Sequence, residues 1–184
     1  MPGSEMSRLA HLSKPISVEQ YLNTICRPDV EYVDGEIQER NLGEFDHADL
    51  QAALSTPLRN RQQDWAIRVV VEARVQVAPT RFRIPDVCVL AAGLARERII
   101  HRAPLLCIEV LSPRDRLKVM RKRVQEFLDM GVPEVWIFDP GTRTAYVCSG
   151  DLATPMAEFH SGMLRLAGTA IELDVTAVFA TLDA

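Results

Sequence analysis

The sequence predicts a single α/β domain whose core runs helix, three strands, helix, strand, with a β-hairpin ahead of it. Three observations predict this order. A stretch with helical periodicity stands before three strand-length apolar runs, a second amphipathic stretch follows them, and one more apolar run lies beyond a Gly-Val-Pro break at 131–133. With 184 residues, no internal repeat and no Gly/Ser linker, one domain over residues 16–184 is expected, preceded by a loose tail at 1–15.

Taken in order, Ser17 is placed to cap a short helix through Tyr21 and Leu22, which Arg27-Pro28-Asp29 ends. EYVDGEIQER reads as two short strands around Asp34-Gly35, a dipeptide that supplies the positive φ angles of a tight hairpin turn. From Asp46 to about Gln63, Leu50, Ala53, Leu54, Pro57 and Leu58 recur at three- and four-residue steps, so an amphipathic helix is expected, bent or interrupted at Pro57. Ile67 to Val77 alternates as one half-buried strand, with Val71, Ala73, Val75 and Val77 on one face and Glu72, Arg74 and Gln76 on the other. Ile84–Leu90 and Leu105–Leu111 are nearly continuous apolar runs that belong in the middle of a sheet covered on both faces. Ser112-Pro113-Arg114-Asp115 opens a helix that should reach Met130, where Gly131 closes it. Val135–Phe138 is a further strand, and Thr144–Cys148 its hairpin partner across Asp139-Pro140-Gly141.

Composition excludes several classes of function. No apolar run is long enough to span a bilayer, and the first residues lack the apolar middle of a secretory signal, so a cytoplasmic location is expected. Cys26, Cys88, Cys107 and Cys148 form no CxxC pair, and His11, His47, His101 and His160 form no HxH or HxxxH pair, which argues against zinc. A net charge of −4 argues against coating nucleic acid by overall positive potential. Locally, Arg114, Arg116, Lys118, Arg121, Lys122 and Arg123 stand against Asp115 alone, which is either a solvated helix face or a phosphate-contacting one.

Two of the buried runs each carry a carboxylate, Asp86 and Glu109. An ionised acid in apolar surroundings must be neutralised, paired or bound to a cation. On adjacent antiparallel strands, the start of one run lies beside the end of the other, so these acids could converge on a hard cation such as Mg²⁺ or Mn²⁺. The other reading is a pair of structural salt bridges, with Arg83 or Arg116. On a helical wheel, Leu117, Met120, Val124, Phe127 and Leu128 form a buried stripe with Arg116 and Arg123 at one edge, while Lys122 points to water. Arg123 could therefore reach the sheet where Glu109 lies, or simply cover the core with its stem.

Pro85-Asp86 followed by Glu109-Val110-Leu111 resembles the signature of the PD-(D/E)XK nuclease superfamily. The stretches EYVDGEIQER, GEFDH, VEARVQVAPTRFRIPDVCV, PLLCIEVLSP and GVPEVWIFDP resemble more closely its bacterial Uma-two branch, and together cover most of residues 30–148. The resemblance implies a restriction-endonuclease-like core with three antiparallel strands, and an endonuclease that hydrolyses DNA with Mg²⁺ or Mn²⁺. It implies Asp86 and Glu109 as metal ligands and catalytic residues. Glu72 completes or borders the site, unless it is a solvent-facing strand acid. Glu31 and His47 fall near the cleft, His47 otherwise being a capping or packed histidine; Arg116, at the edge of the helical stripe, is a further candidate cleft residue from the wheel. Where the superfamily signature has lysine this chain has Leu111, and the basic role then falls to Arg123. Arginine neutralises charge on phosphate but is a poor proton acceptor. A homodimer acting on double-stranded DNA is expected; the alternative is a catalytically weak module of the same fold that binds a nucleic acid or protein partner.

Overall fold

The computed structural model describes residues 15–25, 29–40, 44–113, 117–150 and 156–183. The expected tail (but for Pro15), His11, Cys26 and the run Arg114–Arg116 lie outside the described residues. Helix α1 (Val18–Asn23) precedes the hairpin β1 (Glu31–Val33) and β2 (Glu36–Gln38), then α2 (Phe45–Asn60), β3 (Ile67–Val71), β4 (Val75–Ala78), β5 (Arg81–Arg83), β6 (Val87–Ala91) and β7 (Leu106–Val110). Helix α3 (Leu117–Met130), β8 (Glu134–Asp139), β9 (Thr144–Cys148), β10 (Ala157–Phe159), β11 (Met163–Arg165), β12 (Glu172–Asp174) and α4 (Val175–Ala180) follow.

The main sheet has the order β10-β9-β8-β7-β6-β3. Strands β3, β6 and β7 are antiparallel, and β8 returns parallel to β7 after α3. The core order read from the sequence is therefore the one observed. Strands β7 and β8 are covered on both faces, as their unbroken apolar runs require. Val87, Val89, Ile108, Val110, Trp136 and Phe138 pack on one side toward α2 and α4, while Cys88, Cys107, Val135 and Ile137 face Met120, Val124 and Phe127 of α3. Cys88, Cys107 and Cys148 are free and buried.

Of the expected strands one is split and one shortened, and both breaks matter for the site. The run 67–77 is not one strand: β3 ends at Val71, Glu72 turns with φ 50°, and β4 joins a second sheet of order β2-β1-β5-β4. Alternation persists on both sides of the turn, so periodicity alone could not show it; Val71, expected on the buried face, is 42% exposed. The run 84–90 is cut short at its start: β5 of the small sheet ends at Arg83, β6 of the main sheet begins only at Val87, and Ile84-Pro85-Asp86 is the crossing between the sheets. Proline there is consistent with the break, because it cannot donate to a ladder. A hairpin β4–β5 is thereby inserted between the core strands β3 and β6.

Three local expectations can be followed further. Pro57 lies within α2 without ending it, on the exposed side, where water can serve the carbonyl its missing N–H leaves. The expected opening of α3 at Ser112-Pro113-Arg114-Asp115 falls partly outside the described residues; Ser112 itself is buried and has its Oγ 3.5 Å from His47 Nδ1. Ser17 does cap α1, in a reciprocal box with Gln20.

Asp34-Gly35 forms the hairpin turn with φ 50° and 100°. A Cβ at Gly35 would also stand 2.7 Å from Pro15 Cβ. Gly35→Ala is expected to cost about 1–3 kcal/mol, read as a lower urea midpoint at unchanged slope. An unchanged midpoint would show that the turn relaxes freely.

Candidate active site

Strand register places the acids. Val71 pairs with Val87, and Val87 with Ile108. One step further along the same register, Glu72, Asp86 and Glu109 form a row across three neighbouring strand ends. The Glu72 N–H donates to the Asp86 carbonyl at 3.2 Å, which keeps the first pair in step.

Asp86 is 2% exposed and densely held. Its Oδ2 accepts from the Val110 N–H at 2.7 Å, and its Oδ1 accepts from Arg40 Nη2 at 2.9 Å. His47, in the first turn of α2, puts Nε2 3.3 Å from the same Oδ1. One helical turn later, Gln51 Nε2 donates to the Asp86 carbonyl at 3.0 Å. Burial works to raise the Asp86 pKa, but His47, the Val110 N–H and Arg40 outweigh it and hold the carboxyl below its usual range.

Glu109, 1% exposed, is treated oppositely. Burial first, then the charges of Asp86 and Glu31, push its pKa up to about 8, against the lowering influence of Arg123 and Arg40. Its Oε2 is 3.6 Å from Arg123 Nη1, and its buried Oε1 has no hydrogen-bond partner among the described residues. Two facing carboxylates thus divide their titrations, one anionic and one largely protonated at neutral pH, as like charges in one site do.

Arg123 extends from the edge of α3 that the wheel indicates, 19% exposed, and bridges Glu109 to Glu31. Glu31, on β1, also accepts from the Ile84 N–H at 2.9 Å and from Arg83 Nη1 at 2.8 Å. Burial would raise the Glu31 pKa, yet Arg123 and Arg83 bring it below its ordinary value. Arg83 is in turn held by Glu126 Oε2 at 2.6 Å and Gln38 Oε1 at 2.9 Å. This chain of ion pairs ties the small sheet to α3 and pins Ile84-Pro85-Asp86 between them. Arg83 therefore serves Glu31 and Glu126, not the strand acids that sequence reasoning had offered it.

Glu72 stands apart from the buried pair. Its side chain is 53% exposed and reaches Arg40 Nη1 at 3.5 Å, so it borders Asp86 through that guanidinium. Arg116 lies outside the described residues. Leu111 is buried under α3, so the position of the signature lysine faces an apolar cluster. Sequence reasoning missed Arg40, Gln51, Arg83's actual role and Glu126. Gln51 had a legible signal, since it follows His47 by one turn; Arg40 closes the stretch EYVDGEIQER.

Among the described residues no group of three or more His, Cys, Asp or Glu side chains forms a ready-made metal cage. The chemistry of Asp86 and Glu109 nonetheless fits Mg²⁺ or Mn²⁺. Both are oxygen donors, one oxygen is buried without a partner, and such ions bind through one or two carboxylates while keeping waters and substrate oxygens.

No curated protein matches the chain. A solved structure described as a "putative nuclease belonging to DUF820" from Anabaena variabilis superposes with a TM-score of 0.81 at 22% identity, over 91% of this chain and 99% of that one. That likeness shows the fold, which is restriction-endonuclease-like. Residues 18–173 match the family model Uma2, described as "Putative restriction endonuclease". The chain belongs to the Uma2 family.

Proposed function

We propose that the chain is a metal-dependent endonuclease that hydrolyses phosphodiester bonds in double-stranded DNA, with Asp86 and Glu109 as metal ligands and Mg²⁺ or Mn²⁺ as cofactor. Family membership supports a nuclease activity. The observation that carries the finer reading is the buried, unpartnered Glu109 Oε1 beside an Asp86 held in its anionic form.

When bound, the cation supplies Lewis acidity to the water nucleophile and to the scissile phosphoryl group. Asp86, fixed at its carboxylate by the Val110 N–H and at its carbonyl by Gln51, holds its buried carboxylate in the crossing between sheets. Arg123 holds positive charge beside Glu109, where negative charge on the phosphate grows in the transition state. Its raised pKa makes it a fixed charge and not a proton carrier. His47 orients Asp86, and Glu72 sits at the rim, where it can align water or a second phosphate oxygen. One observation favours a binding module of weak activity: Arg40 already neutralises Asp86 Oδ1.

The test is cleavage of supercoiled, linear and single-stranded DNA with Mn²⁺, alongside thermal stability with and without the ion. Wild type is expected to cut and to gain stability with Mn²⁺, by about 2.7 kcal/mol when the ion is at a hundred times its Kd. Asp86→Ala should lose both. Mn²⁺ stabilisation that survives in Asp86→Ala, or wild-type cleavage in EDTA, sinks the reading. A double-strand break needs both strands reached, which two centres do in a single encounter, so a homodimer is expected, and light scattering checks it.

A further inference from the structure

A groove of about 930 Å³ adjoins the acid row, and Glu72 belongs to its wall. Among the described residues its lining carries six arginines against three carboxylates, in a chain whose net charge is −4. Arg59 ends α2, Arg68 lies on β3, Arg74 follows the turn at Glu72, and Arg96, Arg98 and Arg102 come from the connection between β6 and β7. We infer that this groove seats the sugar–phosphate backbone of duplex DNA leading into the acid row, and that it acts without reading base sequence.

Three observations support the inference. First, only Arg74 of the six has an ion-pair partner among the described residues, Asp29 at 3.5 Å. Elsewhere on the protein, Arg40, Arg81, Arg83 and Arg123 are all neutralised by acids. Cationic charge left uncompensated on one wall of an acidic protein is what attracts a polyanion.

Second, several of these side chains are fixed by neutral partners, which position the guanidinium and leave its charge intact. Arg98 Nη2 donates to the Leu22 carbonyl at 2.9 Å, and Arg68 Nη1 to the Leu94 carbonyl at 3.3 Å. Arg74 lies over the Tyr21 ring, 4.8 Å from its centre. Fixing these groups in advance reduces the ordering cost of binding.

Third, no Phe, Tyr or Trp is among the described lining residues. Single strands are commonly held by stacking their bases on aromatic rings, whereas backbone binding to a duplex needs only charge and hydrogen-bond donors. Arginine's planar fork suits phosphate oxygens.

The inference rests on the endonuclease reading for its substrate, but binding tests it separately from cleavage. The full chain is titrated in EDTA against a fluorescein-labelled duplex of about 30 base pairs and against the matching single strand, over a range of salt. Arg59→Ala, Arg96→Ala and Arg102→Ala are combined, since all three side chains are exposed; the matching triple lysine variant retains charge. The alanine triple is expected to lose at least tenfold in duplex affinity, and its log–log salt slope should fall by about 2 to 3, near 0.9 for each phosphate contact removed. The lysine triple should keep most of the affinity, and Arg165→Ala on β11 should bind as wild type does. An alanine triple that binds like wild type, or a wild type that prefers the single strand, overturns the groove assignment. Groove-dependent binding by a wild type that does not cut in Mn²⁺ supports the groove and removes the endonuclease reading instead.

Discussion

Arg123→Ala is expected to lower cleavage by about 10²–10³-fold, the usual effect of removing one preorganised charge from a transition-state site. The same substitution should also be costly to the fold. Arg123 bridges two buried acids, and removing it leaves Glu109 without its guanidinium neighbour and Glu31 with only Arg83 and the Ile84 N–H. Breaking a buried ion pair from one side costs about 3–5 kcal/mol, and the lower end applies because Arg123 is 19% exposed. Stability and turnover must therefore be measured together, by urea unfolding and by Mn²⁺-dependent cleavage well below the melting temperature. Lys122→Ala, one residue earlier on the exposed face, is the control and should change stability by less than about 0.5 kcal/mol. Arg123→Lys restores a positive charge but not the planar bridge, so it should recover part of the stability. In turnover it could match or exceed wild type, because a desolvated lysine can also accept a proton. If Arg123→Ala cuts as fast as wild type while folded, the basic role belongs elsewhere, with Arg116 next to be tested.

What was legible in the sequence follows from what periodicity encodes. The continuous apolar runs of β6, β7 and β8 require burial on both faces, and the 3.6-residue stripe of α3 requires a sheet beneath it, so the order of core elements could be read directly. The same wheel put Arg123 at the margin of that stripe, where the structure has it. Breaks between sheets were not legible, because a strand that leaves one sheet at Glu72 and enters another at Val75 keeps its period of two throughout. Asp86 stood out because a carboxylate amid Ile, Val and Cys is anomalous on local grounds. Arg40, Gln51, Arg83 and Glu126 did not, since a polar residue becomes notable only when its distant partner is known: Arg40 and Asp86 are 46 positions apart, Arg83 and Glu126 43. The groove arginines are scattered from 59 to 102 and converge only after folding, whereas the basic run at 114–123 was conspicuous because it is contiguous.

Mn²⁺ affinity is expected to rise with pH through the titration of Glu109, by about tenfold for each unit from pH 6 until it levels near pH 8. The cause lies in the proton that must leave. Glu109 has an ordinary value of 4.5 and is pushed up to about 8 by burial and by the neighbouring Asp86 and Glu31 charges. Binding a cation at its carboxylate displaces that proton at any pH below about 8, and the displacement weakens binding in proportion to proton concentration. Asp86 contributes no such slope in this range, because its pKa is lowered. Without metal the dependence on pH runs the other way. The folded chain keeps a proton on Glu109 that the unfolded chain gives up above about pH 4.5, so this stabilising contribution is complete below that pH and disappears as pH rises to about 8, a loss on the order of 5 kcal/mol. On the proposed metal reading, cation and proton compete for the same buried carboxylate, and Mn²⁺ should raise the melting temperature most at pH 8 and least at pH 5. Glu109→Gln copies the protonated side chain in shape and charge. It should remove most of the alkaline loss of stability in the metal-free protein, and remove the Mn²⁺ shift at every pH. Melting curves at pH 5, 6, 7 and 8, with and without Mn²⁺, give both quantities from one set of samples. A Mn²⁺ shift in wild type that stays flat between pH 6 and 8 would show that Glu109 is not the group whose proton the metal replaces.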